Sequence, residues 1–144
     1  MSRIMAFDYG LKRTGIAVSD PLKLIATGLT TVDTKNLLPY IKAYFKDSDV
    51  DTFVFGNSLH KDGKENNINK NIKGFAKVLH NMYPSIPHYF QNEHNTSKQA
   101  MDALIQSGVP KQKRRNKALT DEVSATIILQ NFMNEFQVKL KEEE

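Results

Sequence analysis

Three carboxylates in this 144-residue chain stand where packing alone would place other residues. Asp8 closes the apolar run "RIMAFD" at 3–8, Glu93 follows "PHYFQ" at 87–91, and Asp121 precedes Ala125 by four residues and Ile128 by seven. That last spacing puts Asp121 on the apolar stripe of a helix, not on its solvated face. Each acid has an ordinary explanation: Asp8 as a turn residue, Glu93 as a loop acid, Asp121 as favourable charge at a helix N-terminus. If the three converge, they repel one another unless a cation lies between them. Oxygen-only ligands with open positions suit Mg²⁺ or Mn²⁺, ions that activate water and stabilise charge on a transferring phosphoryl group. The cations beside these acids fit the same chemistry. Lys12 and Arg13 follow Asp8, and the run "KQKRRNK" at 111–117 supplies Lys111, Lys113, Arg114, Arg115 and Lys117 just before Asp121. Such a run is often a solvated loop. Leading into an acid, it can instead hold a phosphate backbone beside a metal.

The elements that must position these groups follow from periodicity. Residues 3–8, 15–20 and 27–32 read as three strands, with Gly10 and Gly15 bounding the first connection so that it turns tightly and lets a phosphate backbone approach. Leu37, Leu38, Ile41, Tyr44 and Phe45 share one face of a helix near 36–46, in whose first turn alone Pro39 is tolerated. "TFVFG" at 52–56 reads as a buried strand, and Ile68, Ile72, Phe75, Ala76, Leu79 and Met82 give residues 64–83 a helical period. A short strand at 87–91 comes next. A helix capped by Asn95 or Thr96 then runs to a stop at Gly108. The last helix carries Ala125, Ile128, Leu129, Phe132, Met133 and Phe136 as an apolar stripe, with Asp121 at its opening. A three-stranded meander followed by alternating helices and strands predicts an α/β fold: a mixed five-stranded sheet flanked by helices. A central first strand would bring its end, the end of the strand at 87–91 and the last helix to one edge.

Composition sets the bounds. One domain is expected over residues 1–138, with a charged tail at 139–144. With no cysteine in the chain, disulfides, thiolate zinc sites and cysteine nucleophiles are excluded. No run is long and apolar enough for a membrane span, and no leader pattern is visible, so a cytoplasmic protein with no membrane partner is expected. The net charge of +4 favours nucleic acid over an acidic partner only slightly.

The motifs carry a family resemblance over nearly the whole chain. "FDYGLKRTGIAVSD" at 7–20 is similar to the opening motif of the YqgF family, also called RuvX, whose members are described as pre-16S rRNA nucleases and as Holliday-junction-resolvase-like proteins. "FGNSLHKDG" at 55–63 resembles a second family block, agreeing at Gly56, Leu59, Asp62 and Gly63 and departing at Asn57 and Ser58. "NEHNTS" at 92–97 keeps Glu93 and Thr96 of a third block and departs at Asn92, His94, Asn95 and Ser97. "TDEVSATIILQNF" at 120–132 resembles the closing block. The resemblance implies an RNase H-like fold and a metal-dependent phosphodiester hydrolase. Its implied catalytic and metal-binding acids are Asp8, Glu93 and Asp121. The implied role is trimming the 5′ end of the 16S rRNA precursor in ribosome biogenesis.

Other readings compete. The family's other name implies cleavage of four-way DNA junctions; RNA is ranked above DNA. The altered block around Glu93 motivates a non-catalytic RNA-binding or ribosome-assembly module on the same scaffold. An Asp-x-Gly turn between strands also resembles the phosphate loop of actin-like ATPases, which use two such lobes where this length supplies one. His94 is read as a loop histidine or a proton shuttle. Monomer and homodimer both remain open, since a four-way junction favours two-fold symmetry and single-ended trimming does not require it.

Overall fold

The computed structural model describes residues 2–57, 67–92, 102–103, 105–108, 110 and 117–143. Five strands, β1 (Arg3–Asp8), β2 (Arg13–Ser19), β3 (Ala26–Asp33), β4 (Val50–Asn57) and β5 (His88–Asn92), form one sheet in the order β3-β2-β1-β4-β5. β1 is therefore central, as the expected architecture requires. β2 and β3 are antiparallel neighbours in a meander, whereas β1, β4 and β5 run parallel and end at the same edge. Phe7 pairs with Phe55 and Phe55 with Phe90, so the three parallel strands keep level register up to that edge.

Helices α1 (Leu37–Asp47), α2 (Asn67–Met82) and α3 (Lys117–Glu143) accompany the sheet. Side-chain alternation divides the core into two clusters. Met5, Phe7, Ile16, Val18, Phe53 and Phe55 face one side and pack with Leu37 and Ile41 of α1 and Ile72, Ala76 and Leu79 of α2. Ile4, Ala6, Ala17 and Val54 face the other and pack with Ala125, Ile128, Leu129, Phe132 and Met133 of α3. The result is a three-layered α/β arrangement with the sheet in the middle.

Local signals explain the ends of these elements. Pro39 sits in the first turn of α1, where its missing N–H breaks no helical bond. Gly108 adopts φ +76°, and its N–H donates to the Ile105 carbonyl, the glycine stop expected for the helical residues before it. Two of the boundaries that differ from the sequence reading bear on the site. β2 begins at Arg13, so Gly15 lies inside the strand and only Tyr9–Lys12 form the connection. α3 begins at Lys117, so Asp121 lies one turn inside the helix. The basic run before it has no apolar period to mark a helix start.

Candidate active site

The site begins at the end of β1. Asp8 is half-buried and pairs directly with Gly15 across the antiparallel ladder. Directly opposed residues in such a pair present side chains to the same face. Ile4 and Ala6 already face α3, so alternation turns Asp8 to that face as well. Gly15 supplies the room. A Cβ built on it would lie 2.1 Å from the Asp121 carbonyl oxygen and 2.4 Å from its carbonyl carbon. The backbone of α3 at Asp121 therefore rests on β2 where any side chain would sit, next to the strand position paired with Asp8. Gly28 on β3 extends the same close approach, since a Cβ there would meet the Glu122 side chain at 2.8 Å.

Asp121 is held by a long-range ion pair. Arg13 donates from Nε to Asp121 Oδ2 at 3.5 Å, with side-chain exposures of 37% and 27%. Partial exposure and length keep this pair weak, roughly 0–1 kcal/mol. With no acid in the first turn of α3, the helix-terminus explanation for Asp121 falls away, because that effect fades within one turn. Its position on the apolar stripe, half-buried beside a cation, agrees with the sequence expectation.

The connection that follows Asp8 is fixed from below. Thr34 Oγ1 donates to the Gly10 carbonyl at 2.6 Å, and its N–H donates to the Lys12 carbonyl at 2.9 Å. Since the Thr34 hydroxyl proton is committed to Gly10, the buried Thr14 hydroxyl is the donor in the 2.9 Å Thr14–Thr34 contact. Gly10 is needed because a Cβ would lie 2.5 Å from the Arg13 carbonyl oxygen. Tyr9 packs on Phe75 at a ring distance of 5.4 Å, and burial raises its pKa. Lys12 is left exposed at the turn. Sequence reasoning missed Thr14 and Thr34. A threonine two residues after Lys12 and another after an edge strand carry no local signal.

Of the sequence-predicted site residues, Asp8, Asp121, Arg13 and Lys12 therefore gather at one sheet edge. Glu93, His94, Lys111, Lys113, Arg114 and Arg115 lie outside the described residues, as does the side chain of Lys117. β5 ends at Asn92, paired with Asn57, two strands from β1, a separation of about 10 Å. Among the described residues no three acidic or histidine side chains form a metal-sized cluster. The donors that are described suit a hard divalent ion: oxygen only, half-buried, and already drawing a cation in the form of the Arg13 guanidinium.

A family model described as "RuvX: Holliday junction resolvase" matches residues 2–135. The chain belongs to the RuvX family. Relatives named "Putative pre-16S rRNA nuclease" include one from Christiangramia forsetii, 44% identical over 94% of this chain and 100% of its own length. Another, from Porphyromonas gingivalis, is 46% identical over 93% of this chain and 97% of its own. Among solved structures, Thermus thermophilus RuvC in complex with a Holliday junction substrate superposes with a TM-score of 0.53 at 16% identity, covering 94% of this chain and 96% of that one. That likeness shows the fold, RNase H-like as the motifs of this RuvX chain imply. Among the described residues, no helix is long and apolar enough to cross a membrane.

Proposed function

We infer that this RuvX-family chain is a divalent-metal-dependent nuclease, a single domain over residues 1–138, that trims the 5′ end of the 16S rRNA precursor in the cytoplasm. The observation that carries the reading is the contact of the α3 backbone at Asp121 with Gly15, the residue paired with Asp8. It supports assigning two carboxylates from distant parts of the chain to one edge, where parallel strands end. Relatives covering almost the whole chain at 44–46% identity and carrying the rRNA-nuclease name support the substrate.

Asp8, Asp121 and Glu93 would hold Mg²⁺ or Mn²⁺. Bound there, the ion supplies water activation and charge stabilisation for phosphodiester hydrolysis. The chain's own residues do the rest. Asp8 stands on the central strand, so its position is fixed by the core beneath it. Arg13 holds the Asp121 carboxylate in a long-range ion pair, and its remaining N–H groups can donate to a phosphate oxygen. Lys12, exposed at the turn, adds countercharge to the same strand of substrate, with Lys111, Lys113, Arg114, Arg115 and Lys117 assigned to flanking phosphates.

The test compares three substrates with Mg²⁺ or Mn²⁺: 5′-extended 16S precursor RNA, generic single-stranded RNA and four-way junction DNA. Preferential cleavage of the extended precursor is expected. Preferential cleavage of junction DNA would transfer the assignment to a resolvase-like DNA nuclease. Binding of precursor without cleavage under any divalent ion would favour the non-catalytic assembly module.

A further inference from the structure

The solvent face of α2 is not used by the acidic site, yet it has an unusual composition. Lys70, Lys73, Lys77 and His80 recur at spacings of three, four and three, all exposed, and α2 contains no acidic residue. A merely solvated helix face ordinarily mixes both signs. Gly74 lies within this stripe, and a Cβ added there would meet nothing within 4 Å. A mid-helix glycine costs about 0.8–1 kcal/mol relative to alanine, and no packing among the described residues requires this one. It lowers the helix surface between Lys70 and Lys77.

The stripe joins an aromatic row on β5, the outermost strand of the sheet on that side. His80 meets His88 at 5.7 Å between ring centroids, His88 meets Phe90 at 5.7 Å, and Phe90 rests on Phe55 at 5.9 Å. Phe90 nonetheless keeps 39% exposure, so a large ring backed by the core is open to a stacking partner. β5 runs toward the edge that carries the acids, and α2, crossing between parallel strands, runs back from it. Lys70 is thus at the end nearer the acidic edge and His80 at the far end, about 15 Å away.

We propose that the outer face of α2 and the ring of Phe90 form a track for single-stranded RNA leading away from the acidic edge. The lysines hold successive phosphates, Gly74 lets the backbone lie close, and Phe90 stacks an unpaired base. Lys70, Lys73 and Lys77 spread over about 10 Å of helix, so that one strand of RNA can meet all three. Unpaired RNA is the fitting occupant because base–aromatic stacking needs an unstacked base. The inference rests on the nuclease reading, since it names where the substrate lies beyond the scissile bond.

The test is binding of a 20-nucleotide single-stranded RNA in EDTA, so that cleavage plays no part. The triple variant Lys70→Gln, Lys73→Gln, Lys77→Gln should bind at least tenfold more weakly at 100 mM salt. The slope of log affinity against log salt should flatten by about 2, near 0.7 for each phosphate that is no longer neutralised. Gly74→Leu should weaken binding severalfold with the helix intact by circular dichroism, although it removes no charge. Phe90→Leu, which keeps the core filled, should weaken single-stranded RNA more than duplex RNA of the same sequence. Wild-type affinity and salt slope in the triple variant would overturn the track. Asp8→Ala, assayed separately for cleavage, reports on the nuclease reading, so the two failures are distinguishable.

Discussion

On the side of the sheet covered by α1 and α2, the core is built from bulk: Phe7, Phe53, Phe55 and Phe75, with ring centroids 5.2–6.2 Å apart among the pairs that involve Phe7. On the side covered by α3, the strands present Ala6 and Ala17 besides Ile4 and Val54, with Gly15 and Gly28 beneath Asp121 and Glu122. Large rings keep helices at a distance and fill the gap with buried area, which stabilises the fold at about 25 cal/mol per Å². Small residues give up that area and let the backbone of α3 touch β2. The first face fixes where Asp8 is, through the buried row of Phe7 and its neighbours. The second fixes where Asp121 is. Stability and site geometry are thus carried by different layers, and substitutions should separate them.

The largest effect belongs to the aromatic face. Phe7→Ala, fully buried between three rings, should cost about 3–5 kcal/mol in denaturant unfolding. Its loss of activity should follow the loss of folded protein. Gly15→Ala should cost less, about 1–3 kcal/mol, because the added methyl pushes the backbone of α3 away. Yet its cleavage rate per folded molecule should fall at least tenfold, which Phe7→Leu should not reproduce. Equal specific activities in the two variants would break the contrast. Arg13→Gln should change stability by no more than about 1 kcal/mol, since the pair is long and over a third exposed on the arginine side. Its effect belongs in KM and in the salt dependence of RNA cleavage. The smallest effect lies away from both faces, in the β2–β3 connection. The Asp20 carboxylate accepts the Leu24 and Ile25 N–H groups at 2.7 Å, and these bonds, that of Ile25 first, hold its pKa below the usual carboxylate value. A depressed folded pKa contributes stability above the unfolded value near 3.8 and loses it as pH falls through the folded value. Protection of the Leu24 and Ile25 amides, measured against their intrinsic exchange rates, should therefore fall below about pH 4, and Asp20→Asn should remove that pH dependence.

The layers differed in how far the sequence revealed them. All five strands and the faces of α1 and α2 were visible, because alternation and 3.6-residue periodicity are local. So was the convergence of Asp8 and Asp121 on one edge, given a central first strand. The role of Gly15 was not. It reads as a turn glycine beside Gly10, and only the registration of α3 against β2 reveals that its missing side chain makes room for Asp121. The Arg13–Asp121 pair, 108 residues apart in the chain, was equally hidden: Arg13 was expected to serve phosphate alone. Thr34 is a third case. Its hydroxyl holds the turn after Asp8 from the far end of β3.

The central claim is that Asp8 and Asp121 belong to one metal site assembled by the close approach of α3 to β2. Mn²⁺ binding by wild type, Asp8→Asn, Asp121→Asn and the double variant, followed by calorimetry or by the loss of the free-ion EPR signal, tests it without reference to cleavage. Either single substitution should weaken the same site by at least tenfold, and the double variant should lose little more, because the two carboxylates act as a unit. Unchanged Mn²⁺ binding in either single variant, or strictly additive losses from two independent sites, would contradict it.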